Sequence, residues 1–227
     1  MICLTMLISL LTQLFLGLAI SKDNPPVKLV FQISQNAEIY EQSIFGEPPQ
    51  LAIWLEDAQT GNIQSVYVTR RTGTGDFEGK TNVPVALPAW IMTYRKETGS
   101  KNFPTPFNPA PDAITGATTR MERIEKEIET EANRNWNYYI EVNVSGDFNA
   151  KFQNYRSNGE IDPNTNGQPS LVYKGSILSK PGTVSTPVLI GRTEQFVFTE
   201  TLNPNIEEIT TAKMLLNSIK VICTKGD

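Results

Sequence analysis

Tyr138-Tyr139-Ile140-Glu141-Val142-Asn143-Val144 is the stretch on which the fold reading turns. Tyr138, Ile140, Val142 and Val144 take one side, and Tyr139, Glu141 and Asn143 take the other. A side-chain period of two marks a half-buried strand. The same alternation runs from Val27 to Ile33, where Val27, Leu29, Phe31 and Ile33 oppose Lys28 and Gln32. Leu51 to Leu55 (LAIWL) is a short apolar run that ends in turn residues, and Ile63 to Val68 reads as its return strand, so a hairpin is expected. Further strands are expected over Ser170 to Leu178, broken by Gly175, and over Glu194 to Thr199. Val184 to Ile190 is a weaker candidate, because Pro187 restricts it to an edge or a bulge.

Helix is scarce. Glu207 to Ser218 places Ile209, Ala212, Leu215 and Leu216 on one face, with acids at its start, which predicts a helix leading into a last strand, Ile219 to Thr224. Met121, Ile124 and Ile128 form a helical stripe within Arg120 to Glu131, separated by good helix formers. A charged edge strand tolerates the same pattern, and the reading leans to helix. Leu87 to Trp90 and the proline-rich Asn102 to Pro111 read as irregular segments, the second as an extended surface loop. The simplest architecture is mainly β: an immunoglobulin-like β-sandwich with one or two short helices, one domain over residues 22–227.

Composition bounds the chemistry. The chain has 227 residues, 39% hydrophobic and 19% charged, which suits a packed core. Its net charge of -4 gives no phosphate-tracking stripe, so no nucleic-acid partner is expected. There is no histidine, which removes the commonest general base and any histidine-bound metal. Residues 1–20 are apolar and uncharged, and Ala19 and Ser21 fit the small-residue cleavage site of a secretory signal peptide over 1–21. A retained membrane anchor is the rival reading, since no Lys or Arg precedes the apolar run and its length can span a bilayer. Both place the remainder outside the cytoplasm, periplasmic or secreted, with membrane contact only if the segment is retained. Cys3 lies within the signal, leaving Cys223 as a small apolar residue of a terminal strand.

One string carries possible chemistry: Asp112-Ala113-Ile114-Thr115-Gly116-Ala117-Thr118, followed by Thr119 and Arg120. Asp-x-x-Thr-Gly is good turn chemistry, with Asp or Thr capping a backbone N–H and Gly taking φ > 0. The string also resembles the acceptor motif on which periplasmic flavin transferases esterify an FMN phosphate to the last threonine. On that resemblance Thr118 carries the FMN. Asp112, Thr115, Gly116 and Ala117 frame it: Asp112 positions the hydroxyl or the transferase's metal, and Gly116 and Ala117 remove side-chain bulk.

Other candidates read more plainly. Asp162 to Gly167 matches half of a calcium loop, but Tyr173 stands where a bidentate Glu is required. Thr72 to Lys80 is glycine-rich without phosphate-loop spacing and reads as a flexible connection. Asn143-Val144-Ser145 is a formal glycosylation sequon inside an expected strand. Trp54, Trp90, Tyr94 and Trp136 are large aromatics that fill cores or stack on a ring; Trp90, between a proline and a polar run, reads as the exposed one. Arg95 and Lys96 read as a solvated charged turn.

Five stretches together resemble a family of predicted periplasmic proteins of unknown function, often encoded beside flavin transferases and membrane redox proteins. They are Leu51 to Asp57, Leu87 to Arg95, Asp112 to Thr118, Tyr138 to Asn149 and Gly167 to Tyr173. Family members follow the TGAT string with a glycine-rich strand–turn–strand, where this chain has the charged Met121 to Glu131. The resemblance implies an exported protein, at most a flavin-bearing electron carrier or accessory protein rather than an enzyme, with a flavin transferase and a membrane redox protein as partners. The alternative is a noncatalytic β-sandwich that binds a periplasmic protein or glycan, with the TGAT string as a turn and an exposed aromatic such as Trp90 governing binding. A hydrolase lacks a nucleophile–base pair.

Overall fold

The structure, a computed structural model, describes residues 25–79, 83–155, 158–159, 161 and 166–226. The expected signal peptide and residues 162–165 of the calcium-like loop lie outside them. The alternating run Val27–Gln35 is strand β1. Gln50–Asp57 (β2) and Ile63–Thr69 (β3) form the expected hairpin. Thr115–Gly116 (β4) and Arg123–Thr130 (β5) follow, then Asn135–Asn143 (β6), Leu171–Leu178 (β7), Val184–Ser185 (β8), Val188–Arg192 (β9) and Leu216–Lys225 (β10). One sheet has the order β5-β1-β10-β8 and the other β4-β3-β2-β6-β7-β9. The chain is a mainly β two-sheet sandwich with, among the described residues, three short helices: Ala37–Glu41 (α1), Arg70–Thr74 (α2) and Pro88–Thr98 (α3).

The core lies between the sheets. Leu29, Phe31 and Ile33 of β1, with Ile219, Val221 and Cys223 of β10, meet Leu51, Ile53 and Leu55 of β2 and Tyr138 and Ile140 of β6. Phe31 meets Tyr138 edge to face at 5.9 Å, a favoured aromatic geometry. Cys223 is buried in the last strand, as its sequence context implied. A second cluster covers the other face of the six-stranded sheet, where Ala52 and Trp54 of β2, Val68 of β3 and Val172 of β7 pack under Leu87, Trp90 and Ile91. This explains the unbroken apolar run in β2: a strand covered on both faces has no polar side. Trp54 is a core residue, stacked on Tyr139 at 5.1 Å.

Several expectations need correction. Arg120 to Glu131 is not helical; β5 pairs with β1 from Arg123 to Thr130 as a charged edge strand. Ile124 and Ile128 are four apart, a spacing that satisfies both a helix and a strand period, so the stripe could not discriminate. Glu207 to Ser218 is not a helix: it holds one 3₁₀ turn, Thr211–Met214, and β10 already begins at Leu216. Thr210 donates its N–H to Gln168 Oε1 at 2.7 Å, and the Thr211 hydroxyl donates to Asp147 at 2.7 Å. Such side-chain bonds near the backbone compete with a continuing helix. Glu194 to Thr199 forms no strand; Phe198 leaves the sheet to stack on Phe103 at 4.4 Å. Pro187 separates β8 from β9, and there the chain passes from one sheet to the other. Gly175 does not break β7; it stands opposite Tyr138, whose ring occupies the space a side chain would need.

Two segments read as irregular contain helix. Arg70–Thr74, overlapping the glycine-rich run, ends at Gly75 with φ 64°, and Pro88–Thr98 begins with Pro at its first position, which the missing N–H suits. Trp90 is not exposed: it is fully buried beneath that helix and stacked on Tyr94 at 5.0 Å. The Asn143 sequon is closed as well, since Asn143 is buried and its Nδ2 donates to the Gln168 carbonyl at 2.9 Å. Arg95 and Lys96 close the last turn of α3, with Arg95 5.1 Å from the centre of the Phe103 ring and Lys96 ion-paired to Glu200.

Candidate functional site

The acceptor-like string lies at the edge of the six-stranded sheet. Asp112 opens a turn whose carbonyl accepts the Thr115 N–H at 3.2 Å, and its carboxylate side is exposed. Asp112 and Thr115 line a surface cleft of about 390 Å³ with Arg70, Asp76 and Pro106. Thr115 and Gly116 then pair in parallel with Val68 and Thr69 as edge strand β4. Both have packing reasons. A side chain on Gly73 would press on the Thr115 methyl at 2.8 Å, so the two residues are in close approach. A Cβ on Gly116 would stand 2.5 Å from Tyr67 Cε2. Gly116 is absent from the positive-φ glycines; the Tyr67 ring, not left-handed backbone, requires it.

Residues 117–122 cross from β4, the edge of one sheet, to β5, the edge of the other. This strap is pinned from beneath by side chains far away in sequence. The Tyr67 hydroxyl donates to the Ala117 carbonyl at 3.0 Å, and the Tyr40 hydroxyl to that of Arg120 at 3.1 Å. Gln35 Nε2 donates to the carbonyls of Thr119 and Met121 at 3.0 and 2.5 Å. The Gln35 N–H donates to Glu122 O at 2.8 Å. Arg120 reaches outward, donating to the Gly46 carbonyl at 3.2 Å with Glu47 3.8 Å away. Burial pushes the Tyr67 phenol up to about 12, so it remains a donor at neutral pH. Lys126 Nζ lies 4.3 Å from the centre of the Tyr67 ring.

Thr118 differs from its neighbours. It is half-buried, and among the described residues its hydroxyl and its carbonyl carry no hydrogen bond, while the carbonyls before and after it are held. Ala117 is exposed and adds no bulk beside it. The string therefore divides: Thr115 and Gly116 serve packing, and Thr118 stands on a fixed backbone with a free hydroxyl. The pinning residues Tyr67, Gln35 and Tyr40 were not among the residues singled out in sequence. Gln35 had a legible signal, since it continues the inward phase of β1 after Ile33 yet is polar, and the structure buries it fully.

A second polar cluster is purely internal. Glu141, on the non-core side of β6, is fully buried and accepts the N–H groups of Ala89 and Trp90 at 3.2 and 2.6 Å, so it caps α3. The Ser170 hydroxyl donates to it at 2.5 Å. Burial raises its carboxyl to about 7, against the lowering pull of these three donors. At the far end of α3, Glu97 accepts the Ser65 N–H and hydroxyl of β3. No cluster of potential metal ligands is present among the described residues. No family model, curated protein or solved structure matches the chain.

Proposed function

We propose that this chain is an exported β-sandwich protein of an extracytoplasmic redox system, with Thr118 as the acceptor of a covalently held FMN. The observation that supports it best is the free, half-buried Thr118 hydroxyl on a strap whose adjacent carbonyls are pinned. A modifying enzyme needs a hydroxyl that is not engaged within its own protein, on backbone that holds its shape. The chemistry requires an activated flavin dinucleotide. A phosphoanhydride P–O bond breaks as the Thr118 Oγ–P bond forms, the nucleoside monophosphate departs, and a base of the transferase takes the hydroxyl proton. The chain has no histidine to act as that base itself. Once attached, the flavin carries the electrons and the protein supplies position and environment. Co-expression with a flavin transferase is expected to give a fluorescent band on a denaturing gel, absent in Thr118→Ala; a dark wild-type band would sink the assignment.

A noncatalytic binding module is the second reading. It is favoured by the packing roles of Thr115 and Gly116, which account for these two residues of the string without a transferase. The aromatic such a module offers is not Trp90 but Phe107, fully exposed at the tip of the Thr105–Asn108 turn. On this reading Phe107→Ala abolishes capture of a periplasmic partner, and Thr118→Ala does not.

A further inference from the structure

A cleft of about 510 Å³ opens beside the strap, within the size range of small-molecule sites. Its walls include the half-buried rings of Phe45 and Phe77, and its polar lining comprises Gln50, Glu47, Arg71 and Ser145. Gln50 is 3% exposed, and its orientation is fixed because Oε1 accepts the hydroxyls of Thr69 and Thr72 at 2.7 and 3.2 Å. An amide has donors on one end only. The opposite end, Nε2, therefore lies at the cleft as a donor with no partner among the described residues. The Ser145 hydroxyl is likewise without a hydrogen bond among them. A ligand acceptor at Gln50 Nε2 replaces water at a donor whose direction is already fixed, which lowers the ordering cost of binding. Arg71 donates to Glu47 at 2.8 Å, and Arg120 stands 3.8 Å from the same carboxylate.

We propose that this cleft binds a flat heteroaromatic ring whose carbonyl edge accepts from Gln50 Nε2 and Ser145, with Phe45 and Phe77 as its apolar walls. The strap and the cleft are joined, because Arg120 reaches Glu47 on the cleft wall. Two residues of chain span at most about 7 Å, and the Arg120 side chain bridges the remaining distance from the strap to Glu47. A ring tethered through a flexible chain at Thr118 is thus the candidate occupant, namely the isoalloxazine of the attached flavin; this identification rests on the reading of Thr118 given above, whereas the cleft's ring specificity does not.

Riboflavin, which has no phosphate, separates the two. It is titrated into the full chain carrying Thr118→Ala, made without a transferase, with quenching of flavin fluorescence as the readout. The expected result is saturable binding that weakens by about tenfold in an added Gln50→Ala, the worth of one buried hydrogen bond. If Gln50→Ala does not fold, as judged by circular dichroism, Ser145→Ala and Phe45→Leu carry the comparison, each expected to weaken binding severalfold. No saturable binding, or undiminished binding in the folded variants, overturns the proposal. A fluorescent gel band without riboflavin binding sinks only the cleft, and riboflavin binding with a dark band sinks only the Thr118 acceptor.

Discussion

Tyr67 donates its hydroxyl to the carbonyl of Ala117 at 3.0 Å, one residue before Thr118 and fifty residues away in sequence. That bond fixes the start of the strap. Removing the hydroxyl in Tyr67→Phe is expected to cost about 0.5–1.5 kcal/mol of stability, the net worth of one hydrogen bond. Hydrogen exchange at the amides of 117–122 should quicken while β1 and β6 remain protected. Unchanged exchange in the strap would show that it is held by other means.

Gly116 faces the same ring. A methyl there would lie 2.5 Å from Tyr67 Cε2, and the ring is buried and tethered through its hydroxyl. Gly116→Ala is therefore expected to destabilise the fold by about 1–3 kcal/mol, as overpacking does. Chemical denaturation measures this directly. An unchanged midpoint would mean that the glycine serves only an external enzyme's access.

Trp90 anchors α3 onto the six-stranded sheet, and its Nε1 donates to the Ser65 hydroxyl at 3.1 Å. Trp90→Ala should cost about 3–5 kcal/mol, within the range for deleting a buried large aromatic. The deficit should appear in the unfolding midpoint, whatever ligand or partner is present. A fully stable variant with altered binding would contradict its placement in the core.

Glu141 makes a pH prediction whose sign follows from its raised carboxyl. The folded state holds this proton to about pH 7, with burial as the leading cause, while the unfolded chain releases it near 4.5. Between those values the folded state binds the extra proton, so the stability from this group is complete below about 4.5 and declines as pH rises towards 7. Glu141→Gln should flatten that slope in denaturation midpoints taken from pH 4 to 8. It should also lower stability throughout, by about 1–3 kcal/mol, because its NH₂ turns a donor towards a donor. A wild-type slope retained in Glu141→Gln would assign the effect to another group, Asp147 first, whose carboxyl burial also raises.

Strands with one clear phase were legible in sequence: Val27 to Ile33, Leu51 to Leu55 and Tyr138 to Val144 all lie where alternation or a short apolar run placed them. The third layer was not. Glu141 and Asn143 read as the wet side of their strand, yet both are buried, because α3 and the segments around it cover that face. Pro88–Thr98 escaped notice because it concentrates its buried residues in Pro88 to Ile91 and leaves no apolar stripe along its length. Ile124 and Ile128 fit two periods at once. The string Asp112 to Thr118 was legible as a motif, but the residues that pin the strap 117–122 at its end, Gln35, Tyr40 and Tyr67, lie 50 to 86 residues from the carbonyls they hold and come together only in the fold.

The central claim concerns one oxygen atom, Thr118 Oγ. Mass spectrometry of the tryptic peptide 102–120, from protein co-expressed with a flavin transferase, reads it most directly. An added FMN mass, localised by fragmentation to Thr118 and lost in Thr118→Ser only in part but in Thr118→Ala entirely, is the predicted result. An unmodified peptide, or a flavin mass that persists in Thr118→Ala, would contradict the account.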